Sequence, residues 1–189
     1  MEKNILIVGV GGQGTLLASR VLGSLAQGLG LDCKLSEVHG MSQRGGSVVT
    51  HARIGQEIFS PIISEGDADY IIAFERLEAL RWCHYLKKDG TIFINDQRIM
   101  PMPVITGMAD YPENIYESLT AGGYNHAVID GLELAAKAGS TKAVNVVMLG
   151  ALMHKMGVSV DDASKAVSSA VPPKALEINM KALAAGYGL

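Results

Sequence analysis

Apolar residues recur along this chain in two rhythms. Short, largely apolar runs occupy residues 5–8, 70–74, 91–94 and 126–129, and polar or glycine positions bound them. Runs of that length without alternation predict strands covered on both faces, as in a parallel sheet. The second rhythm is helical. Leu17, Val21, Leu25 and Leu29 are spaced by four and predict a helix over residues 15–29. It has so few polar positions that it must pack against a sheet and one further element. Residues 75–86, 113–119 and 132–138 carry shorter helical patterns.

The last third is helical throughout. Asn145, Met148, Leu149, Leu152, Met153 and Met156 define one face of a helix over residues 142–156, which Ser140 or Thr141 can cap and Gly157 can end. Asp161 and Asp162 suit the start of a second helix, with Ala163, Ala166, Val167 and Ala170 facing inward and Pro172-Pro173 closing it. Leu176, Met180, Leu183, Ala184 and Tyr187 mark the inner face of a third.

Between these stretches, residues 34–38 read as a second strand. Residues 47–53 alternate and are branched. Gly55-Gln56 predicts a turn, residues 57–60 an antiparallel return strand, and Pro61 its end. Asp89-Gly90 is expected as a turn. Pro101, Pro103 and Pro112 make residues 96–112 extended and irregular, with no long helix. No repeat, low-complexity run or linker divides the chain. The expectation is one α/β domain over residues 1–189, with a Rossmann-like, mainly parallel sheet, an inserted antiparallel hairpin and a helical C-terminal third.

Composition narrows the class. The 189 residues are 48% hydrophobic, enough for one core and too few for two comfortable domains. The net charge of −3 gives no global attraction for nucleic acid or anionic lipid, so neither is expected as a partner. Charged residues make up only 19%, which points to surface covered by another protein. No segment approaches the ~20 apolar residues of a membrane span, and the N-terminus lacks a signal peptide's basic region, so a cytoplasmic protein is expected. Cys33 and Cys83, 50 residues apart, provide neither a disulfide framework nor a four-cysteine metal site. The five histidines lack ligand spacing, and no metal ligands or catalytic residues are assigned.

Two segments carry chemistry. Gly9, Gly11 and Gly14 fit G-x-G-x-x-G between a strand and a helix, with Gly12 and Gln13 inside the motif. The first glycine is expected to permit a tight turn, the second to let a phosphate approach the backbone, and the third to let helix and strand pack closely. A plain βα turn is the alternative reading. Glu37 stands where a dinucleotide site would want a ribose acceptor, or where a structural acceptor for the following loop would sit. That loop holds His39, Ser42, Gln43, Arg44, Gly45 and Gly46, and strand order puts it beside the glycine loop. Arg44 there can present its fork to a phosphate or carboxylate. Asn145 sits on an otherwise apolar helix face, where its amide must find partners, the glycine-rich loop among the candidates.

The glycine motif, followed by Glu37-Val38-His39-Gly40-Met41-Ser42-Gln43-Arg44-Gly45-Gly46, resembles the γ-type subunits of 2-oxoacid:ferredoxin oxidoreductases, most of all their indolepyruvate branch. Asn145 with Leu149-Gly150, and the closing residues 182–188, extend the resemblance over essentially the whole chain. It implies an accessory subunit in the oxidative decarboxylation of a 2-oxoacid, with arylpyruvates as substrates, coenzyme A taking the acyl group and ferredoxin the electrons. It further implies a large catalytic subunit that holds thiamine diphosphate and iron–sulfur clusters, while this chain offers a coenzyme A site. Candidate positions are Gly9, Gly11, Gly12, Gln13 and Gly14, with Ser42, Gln43, Arg44, Gly45 and Gly46 for ligand or partner. A γ subunit for pyruvate, 2-oxoglutarate or a branched-chain 2-oxoacid is the alternative within this class, and a stand-alone nucleotide-binding module the alternative outside it.

Overall fold

A computed structural model describes residues 2–40 and 46–189. Strand β1 (Lys3–Val10) leads into helix α1 (Thr15–Gly28), followed by β2 (Asp32–His39), β3 (Ser47–Gly55), β4 (Ala68–Ala73) and α2 (Arg76–Trp82). Next come β5 (Leu86–Asn95), the short α3 (Met102–Ile105), α4 (Ile115–Ala121), β6 (His126–Ile129) and α5 (Gly131–Ala138). Three helices close the described chain, α6 (Val144–Lys155), α7 (Val160–Ala170) and α8 (Leu176–Tyr187). None of the described helices is long and apolar enough to cross a membrane.

The six strands form one sheet in the order β2-β3-β1-β4-β5-β6. β1, β4, β5 and β6 run parallel, whereas β3 lies antiparallel to both β1 and β2. Alternation along β1 separates two cores. Ile5 and Ile7 join Ile72, Phe74 and the buried faces of α1, α6, α7 and α8. Leu6 and Val8 join Ile71, Ile92, Ile94, Leu77 from α2 and Leu119 from α4. Both strand faces are thus covered, which is why these runs show no alternation in sequence.

The inserted hairpin is real, but its second arm is not residues 57–60. β3 pairs with β2, Cys33 opposite Ile54 and Glu37 opposite Thr50. Residues 57–60 form no strand, and Phe59 is 86% exposed. A two-residue turn at Gly55-Gln56 is the shortest closure, but the eight-residue ladders of β3 with β2 and β1 bury far more of its apolar side chains. Two smaller expectations also change. Asp89-Gly90 lies within β5, where a register shift between Ala68 and Tyr70 of β4 absorbs the irregularity. On α8, Ala184 faces solvent and Asn179, Ala182 and Gly186 are buried instead.

α6 and α8 cross in close contact. A Cβ at Gly150 would lie 2.5 Å from the Leu183 carbonyl oxygen, and one at Gly186 would overlap the Val147 carbonyl. Glycine at both positions allows the two backbones to touch.

Candidate functional site

β1, β4, β5 and β6 end on one edge of the sheet. The connection leaving β1 passes over one face through α1, and the one leaving β4 over the other through α2. Between strands with opposed connections a doubly wound sheet opens a crevice. A cleft of about 430 Å³ lies there. Gly12, Gln13 and Gly14 line it from the loop after β1, Gln97 from the segment after β5, and Thr141 and Lys142 from the turn ahead of α6.

The glycine loop turns later than its motif suggests. Gly9 and Val10 still belong to β1, with Gly9 opposite Val48 of β3. The chain turns at Gly12 and Gly14, whose φ angles of 99° and 84° favour glycine. Gly9 instead serves close approach, since a Cβ there would stand 3.2 Å from Phe74 Cβ and 2.9 Å from Gln13 Oε1. Gly14 occupies the N-cap position of α1. No side chain caps this helix, and its first turn carries no acidic residue, so the positive end of its dipole is left available to an anion.

Asn145, 3% exposed, holds the loop from behind. Its Nδ2 donates to the Gly14 carbonyl at 3.2 Å and its Oδ1 accepts from the Val146 N–H at 2.9 Å. The amide on an apolar helix face therefore does find the glycine loop. Gly46, just ahead of β3, also meets it, because the Gly11 N–H donates to the Gly46 carbonyl at 3.0 Å. Ser42, Gln43, Arg44 and Gly45 lie outside the described residues. Glu37 does not stand at a ribose position. It sits on the sheet's edge strand, pairs with His39 of the same strand, and is separated from β1 by the whole of β3.

Three amides lie together below the cleft. Gln13 Oε1 accepts from the Val10 N–H at 2.9 Å, and its Nε2 donates to the Phe74 carbonyl at 2.8 Å and to Gln97 Oε1 at 3.0 Å. Asn95, fully buried at the end of β5, donates through Nδ2 to the same Phe74 carbonyl at 3.0 Å and the same Gln97 oxygen at 3.1 Å. Asn95 Oδ1 finds no partner among the described residues. Gln13, expected to contact a ligand, has both ends of its side chain engaged in this brace.

A buried carboxylate fixes the segment that carries Gln97. Glu75 caps α2 by accepting from the Leu77 and Glu78 N–H groups, and accepts as well from the Ile99 N–H at 3.1 Å and the Tyr111 hydroxyl at 2.6 Å. Burial, reinforced by that carboxylate, pushes the Tyr111 hydroxyl far above its ordinary range. Glu78, equally buried, accepts from Ser47 Oγ at 2.5 Å and pairs with Arg81 at 2.7 Å. Cys33 and Cys83 lie on separate elements, and burial raises both thiols. Among the described residues no group of three His, Cys, Asp or Glu side chains is arranged to hold a metal ion.

The glycine loop and Asn145 were visible in the sequence; Gln97, Thr141 and Lys142 were not singled out as site residues. The available signal was positional, because residues just beyond a buried parallel strand fall on the ligand-binding edge.

Fold and cleft together define an α/β domain of the doubly wound class with a cleft at its switch point. The chain belongs to the pyruvate ferredoxin/flavodoxin oxidoreductase family, whose model matches residues 4–189. It is 42% identical to the indolepyruvate oxidoreductase subunit IorB of Pyrococcus horikoshii, over 98% of this chain and 94% of that protein. It is 30% identical to the 2-oxoglutarate synthase subunit KorC of Methanothermobacter marburgensis, over 100% of this chain and 97% of that one. Among solved structures it superposes on the γ subunit of a keto/oxoacid ferredoxin oxidoreductase from Geobacter sulfurreducens with a TM-score of 0.74 and 25% identity, covering 98% of this chain and 96% of that chain.

Proposed function

We propose that this chain is the small subunit of an indolepyruvate:ferredoxin oxidoreductase and that its cleft holds the phosphates of coenzyme A. The observation that carries the substrate assignment is the gap between 42% identity to the indolepyruvate relative and 30% to the 2-oxoglutarate relative, at nearly full coverage of both. A large catalytic subunit supplies thiamine diphosphate and the iron–sulfur clusters. The two isolated thiols here suit that division, as does the lack of a metal-ligand group among the described residues. Ferredoxin takes the electrons through the complex.

The cleft suits a phosphate-bearing acyl acceptor on four counts. It opens at the switch point, the uncapped start of α1 faces it, the loop bears no side chain at Gly12 and Gly14, and Lys142 adds a cation. This chain's residues bind and orient the acceptor; the bond-breaking chemistry belongs to the partner. In function the complex works in the cytoplasm, with no role for nucleic acid or membrane.

The test is the complex reconstituted from this chain and its large subunit, assayed by reduction of ferredoxin or viologen with coenzyme A and one 2-oxoacid at a time. Higher kcat/KM for indolepyruvate or phenylpyruvate than for pyruvate and 2-oxoglutarate is expected. The reverse order would assign the chain to another 2-oxoacid, and activity independent of this chain would end the accessory-subunit reading.

A further inference from the structure

The amide brace below the cleft has a polarity that two backbone groups dictate. The Val10 N–H can only donate, so the Gln13 atom facing it at 2.9 Å is the oxygen. Gln13 therefore turns its NH2 toward the Phe74 carbonyl, which can only accept. Asn95 turns its NH2 toward the same carbonyl. Two NH2 groups thus converge on one atom of Gln97, at 3.0 and 3.1 Å, and that atom must be the oxygen. Reversing Gln97 would set its NH2 against two others. An amide side chain whose acceptor is fixed inward presents its donors elsewhere. Gln97 lines the cleft, and no described residue accepts from its Nε2.

We infer that Gln97 recognises the ligand in the cleft, offering two oriented N–H donors to phosphate oxygens. The inference rests on the proposed coenzyme A reading and names the group read by this side chain. The relay from Val10 and Phe74 through Gln13 and Asn95 holds the donors in place before binding, so no rotamer freedom or amide flip is lost when the ligand arrives. Lys142 lines the same cleft and supplies charge, while Gln97 supplies direction. A ligand group that itself donates hydrogen bonds would meet donors here and be rejected.

The substitution Gln97→Glu separates these roles. One carboxylate oxygen still accepts from Gln13 and Asn95, so the brace survives, while the other replaces a donor with a negatively charged acceptor at the cleft. Binding of coenzyme A and of pyrophosphate to the full chain, measured by calorimetry, is expected to weaken about tenfold or more, with the melting temperature held. Binding of both ligands unchanged from wild type overturns the inference and leaves the coenzyme A reading intact. Weakening for coenzyme A but not for pyrophosphate overturns the phosphate assignment, because the donors then serve another part of the ligand. If the wild-type chain binds neither ligand, the reading of the cleft falls and this inference with it. The Gln97 side-chain ¹⁵N–¹H pair of the wild-type chain gives a readout that needs no variant. It is expected to shift on titration with pyrophosphate, and an unmoved pair at saturation overturns the inference even should the variant fold poorly.

Discussion

Replacing Gly14 with alanine tests the contact between the glycine loop and α6. At φ 84° an alanine pays the left-handed cost of about 1–2 kcal/mol. Its Cβ would stand 3.3 Å from Asn145 Cγ and closer still to Nδ2, so the amide must withdraw from the Gly14 carbonyl. Losing that 3.2 Å bond adds about 1 kcal/mol, for a total of about 2–3 kcal/mol. Asn145→Ala alone loses the same bond and the one to the Val146 N–H, worth about 1–3 kcal/mol together. In the double variant the shared bond is lost only once, and alanine 14 meets no amide. The two single effects should therefore overshoot the double by about 1 kcal/mol. Urea unfolding of the four proteins, followed by circular dichroism, measures this. Additivity within about 0.3 kcal/mol would show that Asn145 does not hold the loop.

Three further outcomes follow from the packing and charge. Gly186→Ala should destabilise the chain by about 3 kcal/mol, because its Cβ overlaps the Val147 carbonyl, whereas Gly188→Ala, with its nearest atom at 3.4 Å, should be near neutral by thermal melting. The Tyr111 hydroxyl is raised above its ordinary value near 10, so its stabilising contribution is fully present below pH 10 and is lost as the pH rises beyond it; Tyr111→Phe should flatten the alkaline limb of a stability–pH curve, and an unchanged limb would contradict the burial beside Glu75. Lys142→Ala should weaken coenzyme A binding about tenfold at low salt and less at high salt, and a salt-independent loss would remove the cation from the cleft's chemistry.

Much of this architecture was legible because burial leaves local marks. Residues 126–129 read as a strand and are one; residues 142–156 read as a helix and α6 lies there, but the face marked by Met148, Leu149, Leu152 and Met153 is not its only buried one, because every residue from Asn145 to Met153 is buried. Pairing leaves weaker marks. Residues 47–53 read as an antiparallel strand, yet nothing in their alternation says whether the partner is residues 57–60 nearby or β2 upstream, where Glu37 pairs with Thr50 and Lys34 with Arg53. The same gap misplaced Glu37, whose distance from the glycine loop depends on β3 standing between β2 and β1. Asn145 was legible as a polar residue in an apolar stripe. Gln97 was not, because its role depends on Gln13, 84 positions away, and on a brace that exists only once β1, β4 and β5 are side by side.

The contact between α6 and α8 bears on where the shape of the cleft is stored. α6 meets the Gly14 carbonyl with its first turn and lies against α8 along its middle. A helix is stiff over 12 residues, roughly 18 Å, so these two contacts are fixed relative to one another. The position of the glycine loop is therefore referenced to the C-terminal helix as well as to the brace that Gln13 makes. One methyl group added at Gly186 would displace the loop from the far side of the domain.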